Sequence, residues 1–279
     1  MKLLKYFSLL AMILLSACSS DDDGIATPIN ETENLTLVQT INANNHEILL
    51  YTTTGEIEQG YNEVYLQIKS GDELITNADI SWMPIMHMTS MMHSCPNSNV
   101  VKSSAKETLY QGYLVFQMAS NDDEYWELNF DYSIDGATFT ASDKVYVKPA
   151  PKKRVAVFMG SDNQKYVLAM VDPRNPQVAV NDMRAGLFKM EDMMNFTSVN
   201  NYHIKIDPRM PSMGNHDSPN NQDLYQENGQ GFYEGKVSFT MTGYWKINLQ
   251  VANESGETIK GEAVAGSDEA SSLYFEVEF

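Results

Sequence analysis

Residues 125–132 read YWELNFDY, and residues 244–251 read YWKINLQV. In both stretches apolar side chains alternate with polar ones, so the apolar set shares one face of an extended chain. Such alternation in several short segments, separated by Gly, Asn and Asp turn residues, is typical of an antiparallel β-sandwich. The two stretches therefore predict an all-β fold, with Trp126 and Trp245 as buried, equivalent core residues.

The residues before each of these stretches also repeat. Residues 110–118 and 233–241 carry Tyr, Gly, Phe and Met at the same spacing, and Met-Pro-x-Met occurs at 83–86 and again at 210–213. An internal repeat indicates two copies of one structural unit. We therefore expect two tandem immunoglobulin-like antiparallel β-sandwich domains, at residues 46–149 and 150–279.

The N-terminus has the pattern of an export signal. Two lysines precede a short apolar stretch that ends in Leu-Ser-Ala-Cys at 15–18, which resembles the lipobox of a bacterial lipoprotein. The resemblance implies a signal peptide over residues 1–17, a lipid on Cys18 and an outer-membrane location, on the periplasmic or the cell-surface face. The polar residues 18–45 are predicted to form a flexible tether.

The composition excludes several classes of function. The chain holds 37 acidic and 19 basic residues, for a net charge of −18, so binding to nucleic acid is not expected. The sequence lacks the glycine-rich phosphate loop, the Gly-x-Ser-x-Gly elbow and the His-Glu-x-x-His motif. We therefore expect a protein that is not an enzyme.

Residues 83–95 read MPIMHMTSMMHSC and hold five of the chain's 17 methionines. Thioether, thiolate and imidazole are the ligands that suit Cu(I), and the interspersed Pro, Ser and Thr predict a loop. The expected ligands of a copper site are Met83, Met86, His87, Met88, Met91, Met92, His93 and Cys95. Two other interpretations stay open, a methionine-lined contact surface and core packing.

A sparser loop at residues 210–216 offers Met210, Met213 and His216. It lacks a thiol, so we expect Cys95 to make the first site the tighter one. Three further methionines (Met190, Met193 and Met194) are interpreted as core residues, and His46 and His203 as surface or packed histidines.

The second block resembles a known family. Residues 210–216 carry Met-Pro-x-Met-Gly-x-His, and residues 231–247 carry Gly-x-Tyr-x-Gly-x-Val-x-Phe-x-Met-x-Gly-x-Trp-x-Ile. This pattern, which covers about 75 residues, resembles the YtkA-like/FixH family. The resemblance implies a small immunoglobulin-like sandwich of an extracytoplasmic protein, associated with copper handling and cytochrome oxidase assembly.

These observations favour a lipid-anchored extracytoplasmic protein that binds, delivers or sequesters Cu(I). Its expected partners are the membrane, through the lipid, and a copper-donor or copper-acceptor protein. The alternative is a non-enzymatic immunoglobulin-like module that recognises a protein or a glycan at the cell surface.

Overall fold

The computed structural model describes residues 30–266 and 270–279. The proposed signal peptide and Cys18 lie outside the described residues. Within them, every regular element is a β-strand except one single-turn 3-10 helix at Pro211–Met213. From residue 31 onward the described residues form one compact unit, within which two β-sheet halves follow one another along the chain.

The first half contains ten strands. In chain order they are β1 (Thr36–Ala43), β2 (His46–Thr52), β3 (Gly60–Ser70), β4 (Glu73–Leu74), β5 (Ala78–His87), β6 (Met92–His93), β7 (Val101–Lys102), β8 (Tyr110–Phe116), β9 (Tyr125–Ile134) and β10 (Ala137–Val145). One sheet has the order β1-β2-β3-β8-β7, with β4 beside β3, and the other has the order β10-β9-β5-β6. All pairs between these strands are antiparallel.

The second half contains eleven strands. They are β11 (Val155–Met159), β12 (Lys165–Asp172), β13 (Val180–Met190), β14 (Phe196–Ser198), β15 (His203–Met210), β16 (His216–Asp217), β17 (Gln222–Tyr225), β18 (Tyr233–Ser238), β19 (Tyr244–Ala252), β20 (Thr258–Lys260) and β21 (Tyr274–Glu278). Their main path runs β11-β12-β13-β18-β17-β15-β19-β20. Strand β17 pairs with both β15 and β18 and so joins the two faces.

Each half encloses its own apolar core, and the period-two pattern explains why. In β9 the apolar residues at 126, 128, 130 and 132 are all buried, and β19 buries Trp245, Ile247, Leu249 and Val251. The predicted all-β, sandwich-type antiparallel fold is therefore confirmed. Some strand boundaries differ from the expected ones by a few residues. The strand expected at 144–148, for example, corresponds to β10, which ends at Val145.

Trp126 and Trp245 occupy matching places in the two cores. Both are fully buried, as predicted, and each indole Nε1 donates a hydrogen bond to a methionine carbonyl, at 3.0 Å from Trp126 to Met118 and at 3.1 Å from Trp245 to Met241. The hydrogen bond satisfies the polar end of a ring that is otherwise surrounded by apolar atoms. The carbonyls belong to the methionines that end the two repeated segments 110–118 and 233–241.

The repeat in the methionine segments has a different register from the one expected. Pro84 pairs with Leu128 in β9, and Pro208 pairs with Ile247 in β19. Each partner lies two residues after its tryptophan, and a buried methionine, Met86 or Met210, follows each proline by two residues. The structural match is thus Pro-x-Met with Pro-x-Met, and the expected match of Met83 with Met210 is wrong.

Two further expectations require correction. Strand β1 occupies Thr36–Ala43 and pairs with β2, so the predicted tether at 18–45 extends too far into the folded part. Strand β5 continues to His87, so the first five residues of the predicted loop 83–95 are β-structure. Proline did not end the strand because β5 has no hydrogen-bonded neighbour at Pro84 on the side away from β9.

The halves pack against each other through a third apolar cluster. It comprises Val115, Val155, Val167, Ala169 and Phe188, with Tyr61, Tyr113, Phe196 and Phe232 packed around them. Residues 166–171 are buried without interruption, because one face of β12 meets the second core and the other meets this cluster. The division at 149–150 into independent domains stays a prediction.

Candidate metal centre

Sheet geometry separates the residues of the stretch 83–95. Successive side chains of β5 point to opposite faces, so Met86 enters the first core while Met83 and His87 point outward. In β6, Met92 pairs with His87 and His93 pairs with Met86. The eight expected ligands are therefore divided among the core, the outer face of the sheet and a cavity between the halves.

Cys95 lies in the core of the first half. Its side chain is fully buried among apolar neighbours, and burial raises the pKa of the thiol because a thiolate would lose its hydration. The neutral thiol is a poor metal ligand. The expectation that Cys95 joins His93 in one nitrogen–thiolate site is therefore corrected: His93 lines the cavity, and Cys95 packs like a small apolar residue.

The outer face carries Met83, His87 and Met92, with Met83 40% and Met92 51% exposed. The His87 ring stacks on Tyr125 at a centroid distance of 4.8 Å. Its Nε2 lies 3.7 Å from a carboxylate oxygen of Glu127, too far for a hydrogen bond, and makes none with the described residues. These three side chains share a face but contribute nothing to the cavity lining.

The cavity has a volume of about 280 Å³ and lies where the two halves meet. Five methionines and one histidine line it: Met88, Met91, Met118, Met190, Met193 and His93. The remaining lining residues are Gln117, Val157, Lys165 and Val167. Every soft donor here is a neutral thioether or an imidazole.

The second half supplies two of the thioethers, from Met190 at the end of β13 and from Met193 in the turn that follows it. The Asp192 carboxylate accepts hydrogen bonds from the backbone N–H groups of Met194 at 2.7 Å and Asn195 at 2.9 Å, and the Asn195 side chain donates to it as well. The backbone N–H of Ser94 donates to the Met193 carbonyl at 2.8 Å. This bond fixes the turn against the segment of the first half that carries His93.

The hydrogen bond of His93 fixes which ring nitrogen is free. Its Nδ1 lies 2.8 Å from the Ser94 carbonyl oxygen, which can only accept, so Nδ1 carries the hydrogen. In the neutral imidazole Nε2 then keeps its lone pair. Ligand histidines commonly have this arrangement, in which the other ring nitrogen donates to a carbonyl. The ring also contacts Trp126 edge to face at 5.5 Å, which limits its rotation.

The second predicted loop does not gather its donors. Met210 is buried in the second core, Met213 is 57% exposed and His216 is exposed. The chain turns sharply between them, because Gly214 adopts a left-handed conformation with φ of 64°. Met210, Met213 and His216 therefore point to different environments.

Sequence reasoning missed three of the cavity methionines. Met190 and Met193 had been interpreted as core residues, and Met118 was expected only as the end of a strand. Their common signal is a methionine at a strand end or within three residues of it. In residues 30–266 and 270–279, no group of three or more His, Cys, Asp or Glu residues could hold a metal, so thioethers are the donors that distinguish this cavity.

Comparisons with known proteins give one matching family. The YtkA-like family matches residues 161–250, whereas a search of curated proteins gave no significant match. A solved structure described as a conserved domain protein from Bacillus anthracis aligns over 89% of this chain and 93% of its own length, at 10% identity and a TM-score of 0.32. That score is too low to support an argument. None of the described residues forms a helix long and apolar enough to cross a bilayer. Residues 161–250 thus match the YtkA-like family, as the motifs of the second block predict.

Proposed function

We propose that this protein binds Cu(I) in the cavity between its two halves, and thereby carries or sequesters copper. The observation that supports the proposal is the lining itself, which combines five thioethers with one imidazole. Unlike carboxylates or carbonyls, these donors favour soft monovalent copper over Mg or Ca. The site replaces the single loop expected from the sequence.

The residues present fit such an ion. Sulfur would come from the five lining methionines, Met88, Met91, Met118, Met190 and Met193. His93 would supply Nε2, since its Nδ1–H already donates to the Ser94 carbonyl. A bound ion needs only some of these donors, so the lining offers more than one possible set. Excess soft donors suit a protein that takes up and releases its cargo, because one ligand can replace another during transfer.

The test is an anaerobic titration of the full chain with Cu(I) against a competing chelator. Met91→Leu and Met193→Leu each remove a thioether with little change in volume, and each should weaken binding about tenfold or more, equal to about 1.4 kcal/mol. Met213→Leu is the matched control, because Met213 is exposed and lies outside the lining. Equal affinity in all four proteins would refute the cavity as the copper site.

A second candidate function rests on the outer face. Met83 and Met92 expose 40% and 51% of their surface, and exposed methionines suit adaptable recognition of a protein surface. This function gains support if the wild-type chain fails to bind Cu(I) more tightly than the two cavity variants do.

The proposed location of the protein rests on the sequence alone. Residues 15–18 support a lipid anchor on Cys18 and an outer-membrane position, and a copper donor or acceptor protein would be the partner there. Intact-mass measurement of protein extracted from membranes should give an acylated chain that starts at Cys18. A mature chain that retains residues 1–17 would contradict the anchor.

A further inference from the structure

We propose that Lys165 makes the cavity selective for monovalent over divalent metal ions. The inference rests on the proposed function and concerns the same cavity. Lys165 is the only charged side chain in the lining, and no carboxylate faces the donors. Among the described residues its ammonium has no ion-pair or hydrogen-bond partner, so no neighbouring anion neutralises it.

The position of Lys165 follows from the fold. It is the first residue of β12 and pairs with Met159 at the end of edge strand β11. Two residues later along the same strand, Val167 is buried and also lines the cavity. Since residues i and i+2 share one face of a strand, the Lys165 side chain extends from the apolar wall of the cavity toward its open side.

The nearest acidic residues of the turn are already engaged. Glu191 accepts a hydrogen bond from the Thr197 hydroxyl at 2.7 Å and pairs with Lys189 at 3.1 Å. Asp192 accepts its bonds from the Asn195 side chain and from the turn backbone. Neither residue lines the cavity, so within the lining the Lys165 ammonium is the group that acts on the donors by its charge.

The charge of the bound ion fixes the ratio between the repulsion energies of a divalent and a monovalent ion. The Coulomb energy between the ammonium and a bound ion is proportional to the charge of the ion, so repulsion of a divalent ion is twice that of a monovalent ion at the same position. The effective dielectric constant cancels from this ratio. Any change of charge at residue 165 should therefore alter log K for a divalent ion twice as much as for a monovalent one.

The experiment compares Ag(I), as a stable monovalent probe, with Cd(II), as a soft divalent probe, on the full chain. For Lys165→Glu we expect about a tenfold gain in Ag(I) affinity and about a hundredfold gain in Cd(II) affinity. Lys165→Gln, which removes the charge without adding a thioether, should give about half of each logarithmic gain. Lys205→Glu is the matched control, because Lys205 is exposed on β15, lies outside the lining and gives the same change in net charge.

The outcomes separate the two proposals. If Ag(I) binds and the Met91→Leu and Met193→Leu variants weaken it, the cavity binds soft cations. Three results would then overturn only the role of Lys165 and leave the proposed function intact. These are equal gains for Ag(I) and Cd(II) in Lys165→Glu, no gain in either affinity, or gains that Lys205→Glu matches. Absence of Cd(II) binding in both wild type and Lys165→Glu would also overturn it, because another feature would then exclude divalent ions. Failure of Ag(I) to distinguish the methionine variants would instead refute the proposed function.

Discussion

At the scale of single residues, position in the sheet decides what a sulfur atom can do. His93 and Cys95 are two residues apart, yet the first lines the cavity and the second is fully buried in the core. We therefore predict that Cys95→Ser leaves Cu(I) affinity within about twofold of wild type, while burial of a polar hydroxyl in the apolar core lowers the free energy of unfolding by about 1–3 kcal/mol. Cys95→Ala, which removes the sulfur without adding a polar group, is the control. Denaturant unfolding and chelator competition measure the two quantities. A tenfold loss of affinity without loss of stability would restore Cys95 as a ligand.

At the scale of elements, the β13–β14 turn is the part of the second half that brings Met193 into the cavity lining. Asp192 holds the turn through backbone and side-chain hydrogen bonds, so Asp192→Ala should loosen Met193 and weaken Cu(I) binding about threefold to tenfold. Asn253→Ala is a matched control, since the Asn253 side chain accepts from the backbone N–H groups of Ser255 and Glu257 in another surface turn. Titration of both variants checks the prediction, and equal affinities would show that the turn does not position the ligand.

At the scale of the whole molecule, the donors come from both halves, so cargo binding should stabilise the packing between them. A ligand that binds only the folded chain adds about 2.7 kcal/mol at a free concentration one hundred times its Kd. We predict that Cu(I) or Ag(I) raises the melting temperature of the wild-type chain and raises it much less in Met193→Leu at the same concentration. Differential scanning calorimetry under anaerobic conditions measures the two melting temperatures. An equal rise in both proteins would indicate binding elsewhere.

The sequence predicted the strands well and the lining of the cavity only in part, for one physical reason. Alternation in β9 and β19 reports burial on two faces, which is a local property of a strand. The cavity lining brings together Met91 and Met193, about one hundred positions apart, and depends on a turn whose partner is the Ser94 backbone. Nothing in the spacing of residues 83–95 shows which face each side chain takes, because the interspersed Pro, Ser and Thr predict a loop, whereas strand β5 continues to His87.

The two prolines that mark the repeat have a further consequence for self-association. Pro84 and Pro208 each lie inside a strand that is paired with a neighbour on one side and only sparsely on the other. A ring nitrogen without hydrogen cannot donate to an incoming strand, so both places resist the edge-to-edge growth through which β-proteins aggregate. A copy crowded against other copies would thus find no backbone N–H at Pro84 or Pro208 with which to pair an exchanged strand.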